Sequence, residues 1–151
     1  MNLIKKILFE SMLNEVGEAT SSTYKYKVLS YNEDLAKYSF TTDSNLEYRV
    51  LFEEDALDMY YTVWEMAFGI INDSKLDTQI VTNKGEIYKV MGTITKILKT
   101  FVNDYEQVER IAFKGSDNRR DKLYQQYLSK HLPNNWIAKK DEFENFILIK
   151  K

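Results

Sequence analysis

The spacing of hydrophobic residues changes several times along the chain, and each change marks a predicted element. In residues 1–16 apolar side chains recur at three and four positions, which predicts an amphipathic helix, and Gly17 is a natural stop for it. Its apolar residues are Leu3, Ile4, Ile7, Leu8, Met12 and Val16. We therefore predict an N-terminal helix at 1–17 and a single mixed α/β domain at 18–151. The helix packs either on the domain or on a partner protein.

A two-residue alternation begins after residue 23 and predicts β-strands. It covers residues 24–28, 36–40 and 46–52, where aromatic and aliphatic side chains face one way and mostly polar side chains face the other. Short polar side chains at 42–45 predict a turn, so the second and third strands form a hairpin. The apolar segment 60–70 predicts a fourth, mostly buried strand.

The second half of the chain predicts two helices and three strands. Apolar residues recur at three and four positions over 86–101 and again over 119–131, which is typical of helices. The segment 108–113 reads as a short buried strand, and 136–138 with 143–149 as a closing hairpin. The predicted order is thus helix, four strands, helix, strand, helix and two strands.

The helix at 86–101 lies between two predicted strands and therefore implies a crossover. A crossover of this kind sets the strand at 108–113 parallel to the strand at 60–70, whereas hairpin neighbours are antiparallel. We therefore expect an α/β fold with one mixed sheet. This parallel pair is the geometric feature on which the functional hypotheses below depend.

Composition excludes several classes of chemistry. The 21 basic and 23 acidic residues give a net charge of −2, which disfavours nucleic acid as a partner. No cysteine and a single histidine exclude disulfides, thiolate catalysis and the common zinc motifs, so no metal is predicted. The longest apolar stretch, 59–71, contains Glu65 and is too short to span a bilayer. We expect a cytoplasmic protein without a membrane anchor or secretory signal.

One motif in the second half resembles a known family. After the predicted strand that ends at Phe113, the chain reads Asn118-Arg119-Arg120-Asp121-Lys122-Leu123-Tyr124. This resembles the GNAT family of N-acetyltransferases, in which the helix after the fifth strand often begins Asn-x-x-Ala-x-x-Leu-Tyr. The resemblance covers residues 58–131 and implies acetyl-CoA as the cofactor. The chain has no room for the two helices that usually follow the first strand, so the core is a degenerate version of that fold.

The same resemblance implies roles for individual residues. It assigns the pyrophosphate to the helix start at Gly85, with Lys84 and Lys89 as compensating charges, although Gly85 alone fits the glycine loop of the family. It assigns Tyr124 as the general acid and Glu65 as the general base of an acyltransferase. From the residues alone, Tyr124 equally fits the core face of its helix, and Glu65 equally fits a half-exposed strand.

The charged residues at the two predicted helix starts favour different interpretations. Glu86 puts a negative charge in the predicted first turn of its helix, where it competes with a bound pyrophosphate. Arg119 and Arg120 form the best local anion site, because two guanidinium groups can bind phosphate or carboxylate. The alternative is a salt-bridge and capping cluster with the aspartates at 117 and 121.

A second resemblance spans most of the last two thirds of the chain. The blocks at 83–93, 111–116 and 120–124 resemble an uncharacterised family of small proteins from tailed phages and bacteria. In addition, Leu8-Phe9-Glu10 and Leu13-Asn14-Glu15 resemble the cleavage pattern of phage prohead proteases. These resemblances imply a binding or structural protein, virion-associated or host-interacting, found in the host cytoplasm or the virion. We expect a protein partner at the N-terminal helix and no cofactor; the alternative is an acyl-CoA-dependent N-acyltransferase.

Overall fold

Eight strands and two helices make up the part of the chain that the computed structural model describes, which is residues 23–55, 63–77, 86–113, 119–141 and 145–151. The predicted N-terminal helix and the two cleavage patterns lie outside these residues. The elements in chain order are β1 Tyr26–Tyr31, β2 Leu35–Thr41, β3 Glu47–Asp55, β4 Val63–Asn72, β5 Lys75–Asp77, α1 Ile87–Asp104, β6 Arg110–Phe113, α2 Arg119–Lys130, β7 Trp136–Lys140 and β8 Phe146–Lys150.

The strands form one mixed sheet in the order β1-β2-β3-β4-β6-β8-β7. Strands β4 and β6 are parallel, with Trp64 opposite Ile111, and the other neighbouring strands are antiparallel. The predicted parallel crossover through α1 is therefore confirmed, and with it the mixed α/β class. A strand, a helix and a following strand usually pack as a crossover within one sheet. The order of the elements was therefore enough to predict that β4 and β6 pair in parallel.

Strand β5 was not predicted. It follows β4 after a two-residue turn at Asp73 and Ser74, whose positive φ angles of 50° and 66° are those of a tight hairpin turn. It pairs with β4 at Ile70–Asn72, beyond the four residue pairs that join β4 to β6. Short polar side chains at this turn were the only sequence signal for it.

Both helices pack on the same face of the sheet. Phe101 of α1 lies against Phe52 of β3 and Trp64 of β4, with ring centroids 3.9 Å and 5.1 Å apart. Tyr124 of α2 lies against Phe68 of β4 at 4.5 Å. Trp64 and Phe68 are an even number of residues apart on one regular strand, so they point to one face. In β2 and β3 the predicted alternation correctly separates the buried face from the opposite face.

Helix α1 is held by threonines as well as by apolar contacts. The Thr93 hydroxyl donates to the Lys89 carbonyl at 2.8 Å and accepts the backbone N–H of Tyr24 at 2.8 Å. The hydroxyls of Tyr26 and Thr100 lie 2.7 Å apart. These bonds fasten the start of β1 along the helix, since each buried polar group needs a partner. Neither described helix is long and apolar enough to cross a membrane.

Candidate functional site

The start of α1 was the predicted phosphate site, and a carboxylate of the chain itself lies there. Glu86 is 8% exposed and immediately precedes the helix, one position before the predicted first turn. Its Oε1 accepts hydrogen bonds from the backbone N–H of Ser44 at 2.7 Å and from the Ser44 hydroxyl at 2.6 Å. Its Oε2 is buried and makes no hydrogen bond within the described part of the chain. The carboxylate therefore ties the β2–β3 turn to the helix end.

Lys89 is one of the three residues predicted to bind phosphate, and its charge is engaged elsewhere. Its Nζ lies 3.6 Å from Oδ2 of Asp43 and 4.2 Å from the centre of the Tyr24 ring. Burial and the nearby Glu86 charge raise the pKa of Tyr24, although its hydrogen bond with the Asp43 backbone lowers it. The other two predicted phosphate ligands, Lys84 and Gly85, lie outside the described residues. Because Lys89 is paired with Asp43 and the Glu86 carboxylate lies at the helix start, the described part of this helix end does not favour a polyanion.

Tyr124, the predicted general acid, is part of the core. It is 2% exposed, and its ring also contacts Phe113 at 5.9 Å. Burial raises the pKa of Tyr124 well above 10, and its hydroxyl has no hydrogen-bond partner within the described residues. A cavity of about 10 Å³ beside it is lined by Tyr48, Phe68, Ile87, Val90, Met91, Ile94 and Tyr124. That space is at the lower limit for a single water molecule.

Glu65, the predicted general base, lies on the opposite face of the sheet. It alternates with Trp64 and Met66, both fully buried under the helices, and it is half-exposed itself. Its neighbours across the strands are Glu53 of β3 and Ala112 of β6. Since adjacent residues of a strand point to opposite faces, the structure does not bring Glu65 and Tyr124 together.

Arg119 and Arg120 begin α2, where the sequence pattern predicted a helix start. Their anion site stays a prediction. Among the described residues, no group of three or more histidine, aspartate or glutamate side chains is arranged to hold a metal ion.

Replacing Tyr124 by phenylalanine tests whether this side chain is a core residue. We expect the free energy of unfolding of this variant to be equal to that of the natural protein or higher, by at most about 3 kcal/mol. The reason is that burying a hydroxyl without a hydrogen-bond partner costs about 1–3 kcal/mol. Urea unfolding followed by tryptophan fluorescence measures the change. A loss of more than 1 kcal/mol would mean that the hydroxyl is hydrogen-bonded and the core interpretation is incomplete.

Sequence reasoning did not single out strand β1 as an exposed edge. Among the described strands β1 stands at one end of the sheet and pairs with β2 alone. Three large apolar side chains are exposed there, Val28 at 51%, Leu29 at 46% and Tyr31 at 49%. The β1–β2 register shifts between Val28 and Ser30, so Leu29 is an extra residue without a partner position on β2.

Tyr31 gives this edge a fixed aromatic group. Its ring packs against that of Tyr105, with the centroids 5.0 Å apart. The Tyr105 hydroxyl in turn donates to the backbone carbonyl of Asn32 in the β1–β2 turn. Burial and the nearby Asp104 carboxylate raise the pKa of Tyr31. An exposed edge with a rigid aromatic anchor is typical of a contact surface.

The fold and these sites define a mixed-sheet α/β protein that carries an exposed edge strand. Comparison with known proteins gives the family. The sequence profile of a family described as "Family of unknown function (DUF6934)" matches residues 20–144, and the chain belongs to this family. No curated protein sequence matches the chain.

Proposed function

We propose that this protein is a binding or structural component that acts through protein contacts. The exposed apolar side chains of β1 carry this proposal. Three neighbouring apolar residues that are about half exposed at a sheet edge favour a protein contact, because an open edge also offers backbone hydrogen-bonding groups. The amphipathic pattern of residues 1–16 supplies a second contact surface in the proposal.

A degenerate acetyltransferase-like core is part of the proposal. The parallel β4–β6 pair and the crossover through α1 support it, because the GNAT resemblance requires both. The phage-type resemblance supports a role in the virion or in contact with host proteins. Two observations favour binding over catalysis on this core. Glu86 and Ser44 fill part of the helix end, and the two residues with implied acid and base roles face opposite sides of the sheet.

Capture experiments with matched variants test the contact surfaces. We expect the tagged full chain to retain a protein from a lysate of cells that carry its gene. Deleting residues 1–16, or replacing both Val28 and Leu29 by lysine, is expected to abolish retention, and cooperative thermal unfolding checks that each variant is still folded. Ile137→Lys at the opposite sheet edge is the control, since Ile137 is also exposed there. Retention that survives both changes would overturn the proposal.

The alternative function is acyl-CoA-dependent N-acyl transfer. The buried Tyr124 hydroxyl favours it, because it lies near the parallel strand pair where the resemblance assigns a general acid. Under the proposed binding function, acetyl-CoA should leave the melting temperature unchanged. A true cofactor at one hundred times its dissociation constant stabilises by about 2.7 kcal/mol, which raises the melting temperature of a chain this size by several degrees. Such a rise would support the acyltransferase and refute the binding protein.

A further inference from the structure

The edge strand β1 has opposite charges at its two ends. Lys25 and Lys27 are exposed at its start, and Glu33 and Asp34 are exposed in the turn that follows it. The exposed apolar residues lie between these two charged ends. A strand of this kind is complementary to its own copy when the two run antiparallel, because each basic end then meets an acidic end.

We propose that β1 pairs with β1 of a second copy of this chain, antiparallel, about a two-fold axis at Leu29. In this arrangement the basic end of one copy, Lys25 and Lys27, approaches the acidic turn of the second copy, Glu33 and Asp34. The two Leu29 side chains meet at the axis. The backbone N–H and C=O groups on the outer side of β1 form a hydrogen-bond ladder with those of the second copy. The two eight-stranded sheets then join into one.

The charge pattern selects the antiparallel arrangement. Parallel pairing of two β1 strands sets lysine beside lysine and acidic residue beside acidic residue, which costs free energy in both places. Antiparallel pairing turns the same charges into attractive contacts.

The bulge at Leu29 limits the contact to one partner. An extra residue increases the local twist of the strand, so the ladder extends over only a few residues on either side of the axis. An isologous two-fold contact uses each β1 edge once and closes on itself. The assembly therefore stops at two chains rather than growing into a fibre.

Sedimentation equilibrium of the full chain tests this pairing, with two charge-reversed variants. One variant carries Lys25→Glu and Lys27→Glu, and the other carries Glu33→Lys and Asp34→Lys. The natural chain is expected to show twice its 17.9 kDa mass. Each variant alone is expected to be monomeric, because like charges then meet at both ends of the contact. An equimolar mixture of the two is expected to restore the dimer mass.

The control variant carries Lys130→Glu and Lys139→Glu at exposed positions away from β1, and it changes the net charge by the same amount as the variant with Lys25→Glu and Lys27→Glu. It is expected to remain dimeric. Thermal unfolding by circular dichroism checks that every variant is folded. A dimer that persists in both reversed variants, or a mixture that stays monomeric, would overturn the β1 pairing.

This inference rests on the proposed use of β1 as a contact surface, and the two can fail separately. The natural chain could be monomeric at all concentrations while capture of another protein still depends on Val28 and Leu29. In that case β1 is a contact surface, but its partner is not a second copy of this chain. If neither dimer mass nor capture depends on β1, both proposals fail.

Discussion

The variant Phe101→Ala is expected to unfold with a free energy about 3–5 kcal/mol below that of the natural protein, which is the usual cost of removing a buried phenylalanine ring. Phe101 is fully buried where α1 meets the sheet. Its ring stacks on Phe52 at 3.9 Å and on Tyr105 at 4.8 Å and meets the edge of Trp64 at 5.1 Å. Truncation leaves a cavity among three rings that cannot close over it.

Chemical denaturation in urea measures this loss, and two further variants separate its causes. Tyr88→Ala lies on the same helix but is 60% exposed, so we expect a change within about 0.5 kcal/mol. Phe101→Leu keeps most of the volume and should lose less than the alanine variant. If Phe101→Ala and Tyr88→Ala cost the same, the stacking around Phe101 does not hold α1 on the sheet.

The variant Glu86→Ala is expected to lose about 2 kcal/mol, since hydrogen bonds to a charged acceptor contribute about 1.5–3 kcal/mol. The substitution removes the acceptor of both the Ser44 backbone N–H and the Ser44 hydroxyl. It also removes a buried oxygen that has no partner among the described residues, which offsets part of the loss. The result is a β2–β3 turn that is no longer fastened to α1.

A double-mutant cycle with Ser44→Ala isolates this contact. Ser44→Ala alone removes one of the two hydrogen bonds and should lose about 1 kcal/mol, and the double variant should lose no more than Glu86→Ala alone. Hydrogen exchange at the amide of Ser44 is expected to accelerate in Glu86→Ala, because the donor is then open to solvent. Strictly additive losses in the cycle would show that the two side chains act independently.

The order of elements could be predicted because each depends on neighbours in the chain. Alternation identified the core face of β2 and β3, and the spacing over 86–101 identified the buried side of α1. The parallel β4–β6 pair followed from that order, since a strand, a helix and another strand pack back on one sheet in a single hand. Local periodicity and chain connectivity together fixed the mixed-sheet class.

The functional interpretation depended on contacts between distant residues. Glu86 and Ser44 are 42 positions apart, and no local pattern indicates that a turn will cover a helix end. The resemblance assigned Glu65 and Tyr124 to one site, yet strand alternation and the packing of α2 set them on opposite faces.

The sequence by itself therefore determined the described elements other than β5, their order and the apolar faces of β2, β3 and α1, because side-chain periodicity is a property of the local backbone. The tertiary structure alone decided which edge stays exposed and which charges meet. Both depend on strand order and on packing between segments far apart in the chain.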